Sequence, residues 1–244
     1  MEENLTDKLK QIEEAIYSYP LSLLNITNQS ILNIIDDFLP YSVGMEFECH
    51  MKSTYDINNF KNIPDIISVS VDASEQRYRI PSGLKGMICL YNICTQLKIN
   101  SAIDPGSSNH YHFDMTDVWD LLPNYHDSNP SRQDYINPIL EELKTWGTAL
   151  NYSLINGWYR WNNLQTLEIR IGEPSFEYNV IINRLIQGSN ITKRLKAKLT
   201  STQNERKIIQ LEAELSKLKE QTSVQLTEEQ IEMQRIINNR NIRL

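Results

Sequence analysis

Glutamate and histidine side chains recur at alternate positions in three segments of this 244-residue chain. In VGMEFECHM (43–51), polar residues alternate with apolar ones, which is the period of a β-strand with one apolar face and one polar face. HYHFDM (110–115) and TLEIRIG (166–172) repeat this alternation with histidines, an aspartate, a glutamate and an arginine. We expect three strands whose polar faces carry the candidate functional residues: Glu46, Glu48, His110, His112, Asp114, Glu168 and Arg170.

The polar positions of these strands favour a bound cation. They hold acids and histidines but no lysine. Carboxylates gathered on one sheet repel each other, and a divalent ion offsets that repulsion. Two imidazoles on one strand face also suit a metal ion or a phosphate. Ordinary explanations remain open as well, since a strand facing water can carry two glutamates and many histidines are simply hydrogen-bonded. Cys49 is expected in the core, and His50 and His126 are assigned no role.

Helices and further strands must position these residues, and their periodicity predicts where they lie. Apolar residues with helical spacing predict helices over 4–19, before Pro40, over 84–97 and over 131–151. The segments 66–71 and 75–80 read as two strands that pair across a turn. The sequence therefore predicts an α+β fold in which an antiparallel or mixed sheet packs on helices.

The C-terminal part of the chain reads as helical from residue 176 to the end. Its apolar residues recur with spacings of three and four, and a short seam of about two heptads is visible. The seam consists of Ile208, Leu211, Leu215 and Leu218. A second tail helix can begin at Thr227, where a capping box reaches to Gln230. We predict a domain over 1–190 and a helical, short coiled-coil extension over 191–244 that binds protein partners or self-associates.

Charge and composition narrow the class of protein. The net charge is −7, but residues 191–244 carry 11 basic and 7 acidic residues, whereas residues 1–190 carry 13 and 24. An acidic body argues against a nucleic-acid binder. The chain has no apolar run of membrane-spanning length and no signal-peptide core near its N-terminus. Three cysteines give no disulfide framework. A cytoplasmic protein is expected. A virion component is the alternative, because a chain rich in Asn and Ile would be unsurprising in an AT-rich bacterial virus.

Four short motifs resemble the amidoligase family of carboxylate–amine ligases, which has a glutamine-synthetase-like fold. They are GMEFE (44–48), VDAS (71–74) with IPSG (80–83), HYHFDM (110–115) and WNNLQTLEIRIG (161–172). The resemblance covers about residues 41–175. It implies an ATP- and Mg²⁺-dependent ligase that forms an amide bond through an acyl phosphate, with small carboxylate and amine substrates.

The resemblance also implies roles for individual residues. Glu46, Glu48 and Glu168 would be metal ligands, with His110 completing the metal and nucleotide environment. His112 would act with Arg170 in catalysis, and Arg170 would neutralise the transferring phosphoryl group. Asn162 would lie near the nucleotide or the substrate.

One segment departs from the family pattern. Where the family usually has a glutamate shortly before the proline of the IPSG-like motif, this chain reads RYRIP, with Arg77 and Arg79. Glu75 is expected to replace that glutamate only if its strand is bulged. An arginine at a metal site lowers cation occupancy. This departure leaves as an alternative a catalytically inactive ligase-like component of a larger assembly such as a phage virion. A zinc hydrolase using His110, His112 and a carboxylate is a separate possibility, with less support because acids outnumber histidines.

Overall fold

The computed structural model describes residues 5–52, 56–71, 75–105, 107–121, 159–162, 165–170 and 173–241. Within these ranges the fold is α+β, with an antiparallel sheet packed against helices, which confirms the predicted class. His126 and the helix predicted over 131–151 lie outside the described residues. No helix of the described ranges combines the length and the hydropathy needed to cross a bilayer.

Five α-helices are described. They are α1 (Leu5–Ser18), α2 (Gln29–Phe38), α3 (Asn58–Lys61), α4 (Gly83–Asn100) and α5 (Tyr178–Asn241), and two 3₁₀ segments cover Pro20–Asn25 and Thr116–Leu121. The side chain of Asn28 caps α2 by accepting a hydrogen bond from the backbone N–H of Ser30 at 3.0 Å. The helix ends two residues before Pro40, as the proline predicts.

Among the described residues, seven strands form the sheet, and every pairing between them is antiparallel. They are β1 (Val43–Met51), β2 (Ser68–Val71), β3 (Glu75–Ile80), β4 (Ser101–Ile103), β5 (Asn109–Asp114), β6 (Tyr159–Asn162) and β7 (Thr166–Ile169). The order is β2-β3-β1-β5-β7-β6, and β4 pairs with the end of β1. The three predicted polar strands, β1, β5 and β7, are therefore neighbours.

The apolar face of the sheet forms the core. Met45, Phe47 and Cys49 of β1 are buried, as are Tyr111 and Phe113 of β5. Buried helix residues complete this core: Met87, Leu90, Ile93 and Leu97 of α4, and Ile181, Ile182 and Leu185 of α5. Cys49, Cys89 and Cys94 are all buried and unpaired, as expected for thiols that act as small apolar residues.

Helix α5 is continuous, so the predicted second tail helix beginning at Thr227 is wrong. A capping sequence starts a helix only where the preceding turn is broken, and residues 189–244 contain neither glycine nor proline. The chain divides into two compact units, Met1–Lys196 and Ala197–Leu244. The predicted boundary at residue 190 stays a prediction.

Gly188 of α5 lies against the ring of Phe113 on β5. A Cβ at this position would sit 2.6 Å from Phe113 Cε2 and closer still to Cζ. Alanine would gain about 1 kcal/mol of helix propensity, whereas overpacking a core costs about 1–3 kcal/mol. We expect Gly188→Ala to lower the free energy of unfolding by about 1 kcal/mol in urea titrations. Asn190→Ala, at an exposed position of the same helix, is the control and should not destabilise the protein.

Candidate metal centre

Strand register brings the polar side chains together. Glu46 of β1 is paired with His110 of β5 on one side and with Arg77 of β3 on the other. His112 of β5 is paired with Glu168 of β7. Residues paired directly across antiparallel strands point to the same side of the sheet. The polar positions of four adjacent strands, β3, β1, β5 and β7, therefore share one face.

Glu46 lies at the centre of this face. Its Oε2 is 2.9 Å from Nδ1 of His110, and its Oε1 is 3.2 Å from Nε2 of His112. Partial burial opposes ionisation, but the hydrogen bond from His110 and the close contact with His112 outweigh it and hold the pKa of Glu46 well below its ordinary value. Glu46 is therefore an ionised carboxylate that contacts both histidines.

His110 is nearly enclosed by carboxylates. Its side chain is 5% exposed, and its Nε2 lies 3.2 Å from Oε1 of Glu48. Its Nδ1, which contacts Glu46, is also 3.9 Å from Oε1 of Glu168. The Glu168 side chain is 1% exposed and accepts a hydrogen bond from Nε of Arg170. A buried carboxylate needs such partners, and the arginine and the histidine provide them.

Within the part of the chain that the structure describes, two groups of three residues on this face could hold a metal ion. One comprises Glu46, Glu75 and His110, and the other comprises Glu46, His112 and Glu168. The ligand atoms of each group lie within 4.8 Å of one another. Both groups contain Glu46, so two ions bound here would share one carboxylate. Two carboxylates with one imidazole suit Mg²⁺ or Mn²⁺ better than zinc, which prefers sites richer in nitrogen and sulfur.

Glu75 joins the face without any bulge in its strand. The pairing of β3 with β1 is regular and places Glu75 opposite Glu48. The requirement for a bulge was therefore wrong, because residues 75, 77 and 79 already share the strand period of two. Burial raises the pKa of Glu75, and the negative charge of Glu46 raises it further against the opposing effect of Arg77.

Arg77 occupies the same neighbourhood as the first metal group. Its Nε and Nη2 donate to the two carboxylate oxygens of Glu75, each at 2.9 Å. Its Nε also lies 3.4 Å from Oε1 of Glu46. Half of the arginine side chain is exposed. A guanidinium thus already neutralises two of the carboxylates that would hold a cation.

The remaining residues that the sequence predicted for the site lie outside the two metal groups. Glu48 contacts His110 but belongs to neither metal group. Arg170 follows directly after β7, and Asn162 lies on β6, where it is paired with Thr166. Asp114 accepts hydrogen bonds from the backbone N–H and the hydroxyl of Thr116, which lower its pKa despite partial burial. This aspartate therefore anchors the turn after β5.

A cavity of about 450 Å³ opens beside the carboxylate cluster. Glu46 and His112 form part of its wall, and Arg79 donates to the Ser42 hydroxyl at 3.1 Å. The rest of the polar lining contains one carboxylate, that of Asp114, and otherwise mainly hydroxyl and guanidinium groups: Ser42, Ser68, Ser70, Arg77, Arg79, Thr116 and Thr166. Such a lining suits an anionic ligand next to bound cations. Gly44 also lines this cavity, and a Cβ there would lie 3.1 Å from Cβ of His112, so a larger residue would require His112 to shift.

Comparison with known proteins leaves the resemblance to amidoligases as a hypothesis. A scan against protein-family models found no match to the chain, and neither did searches of curated proteins and of solved structures. The contacts around Glu46 are therefore the observation from which a function has to be inferred.

Proposed function

We propose that the polar face binds two divalent cations and ATP and that the protein is an ATP- and Mg²⁺-dependent carboxylate–amine ligase. The supporting observation is the position of Glu46, which belongs to both groups that could hold a metal ion. Two cations linked by a shared carboxylate are a common arrangement in phosphoryl transfer. The motifs that resemble amidoligases supply the choice of ligase among enzymes that use ATP.

The residues of the two metal groups have definite roles in this proposal. Glu46 would hold both Mg²⁺ ions, the first with Glu75 and His110 and the second with His112 and Glu168. Bound Mg²⁺ and ATP would supply a phosphoryl group and charge neutralisation for making an acyl phosphate from the substrate carboxylate. The chain itself would contribute ligand orientation, since buried contacts fix His110 and Glu168 in place.

Arg170 and the residues that line the cavity would bind the substrates. Arg170 is held by Glu168 and remains about a quarter exposed, so its guanidinium is placed to neutralise an anionic phosphoryl group. Arg79 and the hydroxyls of the cavity would bind the anionic substrate, and His112 lies where the cavity meets the cluster.

A second candidate function is supported by Arg77. An arginine paired with Glu75 and close to Glu46 provides positive charge where the first cation would bind. The presence of Arg77 near the position where the amidoligase motif has a glutamate favours a catalytically inactive ligase-like fold that serves as a component of a larger assembly such as a virion. A zinc hydrolase has less support, because each candidate group combines one histidine with two glutamates.

Calorimetric titration with ATP in the presence and absence of Mg²⁺ tests the ligase proposal. Wild type should bind ATP only with Mg²⁺, and Glu168→Gln should weaken that binding by about 100-fold, because a ligand and its orienting contacts are both lost. Glu173→Gln makes the same chemical change at an exposed position nearby and should bind like wild type.

The other results of this titration have definite meanings. Metal-independent ATP binding, or equal binding by Glu168→Gln, would contradict the proposed site. No ATP binding by a folded wild type would favour the inactive component. If wild type binds ATP with Mg²⁺, release of ADP that depends on an added amine would identify the ligase reaction itself.

A further inference from the structure

Helix α5 exposes a row of large apolar side chains in the unit Ala197–Leu244. Ile208 is 55% exposed, Leu211 63%, Leu215 52% and Leu218 58%. Their spacings of three, four and three residues place them on one side of the helix. Exposed apolar residues that align in this way mark a surface for another helix more often than scattered ones do.

The row fits the heptad pattern of a two-stranded coiled coil. Ile208 and Leu215 take the first position of the heptad, called a, and Leu211 and Leu218 take the fourth, called d. A β-branched residue at a with leucine at d favours two parallel strands. The first of the two heptads has this combination, and the second has leucine at both positions.

Charged residues flank the row in a self-complementary order. Lys207 and Glu214 precede the a positions, at the position called g, and Glu212 and Lys219 follow the d positions, at the position called e. All four are exposed. In a parallel pair, each g residue faces the e residue five positions later on the other helix. Lys207 would then meet Glu212 of the second copy, and Glu214 would meet Lys219 of the second copy.

We propose that this row pairs with the same row of a second copy of the chain in a parallel, in-register coiled coil. Opposite charges meet at every g–e contact of these heptads when both strands have this sequence. An unrelated helix would have to reproduce both the apolar row and that charge order. Exposure by itself would not support this pairing, because Ile209 is also exposed, at 65%, although it lies off the row.

Sedimentation velocity of the full chain over about two orders of magnitude in concentration tests self-association. Wild type should pass from monomer to dimer. Leu215→Asp should weaken dimerisation by at least about 100-fold, because it places a charge at the apolar seam of both helices. Ile209→Asp makes a comparable change at an exposed residue of the same helix that lies off the row, and it should dimerise like wild type. A monomer at every concentration, or equal effects of the two variants, would overturn the proposal.

Charge reversal and cross-linking test the register and the direction of the helices. Lys207→Glu should weaken the dimer by about tenfold, and the double variant Lys207→Glu with Glu212→Lys should restore it. Leu211→Cys should form a disulfide between two copies under mild oxidation, because d residues face each other only in a parallel pair. Failure of the double variant to recover, or no disulfide in a dimeric Leu211→Cys protein, would contradict the parallel arrangement.

Discussion

Glu46→Gln is expected to abolish divalent-cation binding at both candidate metal groups. Glu46 is the residue that the two groups share, so one substitution removes a negatively charged ligand from each. The amide also leaves less negative charge beside His110 and His112, whose ring nitrogens contact the carboxylate at 2.9 and 3.2 Å. We expect a loss of more than about 100-fold in affinity for Mn²⁺ or Mg²⁺, measured by calorimetry.

Glu48→Gln is the informative comparison. It makes the same chemical change two residues along the same strand, at a carboxylate that contacts His110 but belongs to neither group. Loss of a partner that orients a ligand costs about tenfold. An equal or larger loss for Glu48→Gln would contradict the shared role of Glu46 and would favour the ligand set implied by the sequence motifs. Urea titration of both variants shows whether either loss arises from unfolding.

The sequence predicted the strands and their faces because that information is local. A period of two fixes which residues share a side, so the polar and apolar positions of β1, β5 and β7 were predicted correctly. The order of strands in the sheet was not predictable, because pairing between Glu46 and His110 joins residues far apart in the chain. The sequence therefore could not establish that the polar faces of the three strands lie together.

Two local signals gave wrong predictions for identifiable reasons. The supposed need for a bulge at Glu75 followed from comparing motifs, whereas the regular pairing of β3 with β1 decides which way that side chain points. The capping signal at Thr227 is a real start signal, but continuous helix through this point keeps the backbone bonds that a cap would replace. Both outcomes depend on surroundings that the local sequence does not contain.

Arg77→Met is expected to raise the affinity for divalent cations by about tenfold. Its guanidinium donates to both oxygens of Glu75 and lies 3.4 Å from Glu46, so an ion binding there must displace or tolerate a positive charge. Two unit charges about 4 Å apart interact by about 1 kcal/mol in water and about 4 kcal/mol near a protein surface. Because half of the arginine side chain is exposed, we expect a value near the lower figure, and about 1.4 kcal/mol corresponds to tenfold.

The stability of the metal-free protein gives a second readout of the same change. Without Arg77, the carboxylates of Glu46 and Glu75 repel each other, so Arg77→Met should lower the free energy of unfolding by up to about 1 kcal/mol. Added Mn²⁺ should then raise the melting temperature more in the variant than in wild type, since binding to the folded state stabilises it. Differential scanning calorimetry with and without Mn²⁺ measures both effects.

Arg79→Met distinguishes a local effect of Arg77 from a general change in charge. Arg79 lies two residues further along β3 and donates to Ser42, so its loss removes the same charge without freeing Glu75. Only Arg77→Met should raise the affinity for divalent cations by about tenfold. If it does, the arginine lowers the affinity of the group Glu46, Glu75 and His110 for a cation without abolishing it. If cation affinity instead falls in Arg77→Met, the arginine holds Glu75 in its ligating position, and the ligase proposal gains that support.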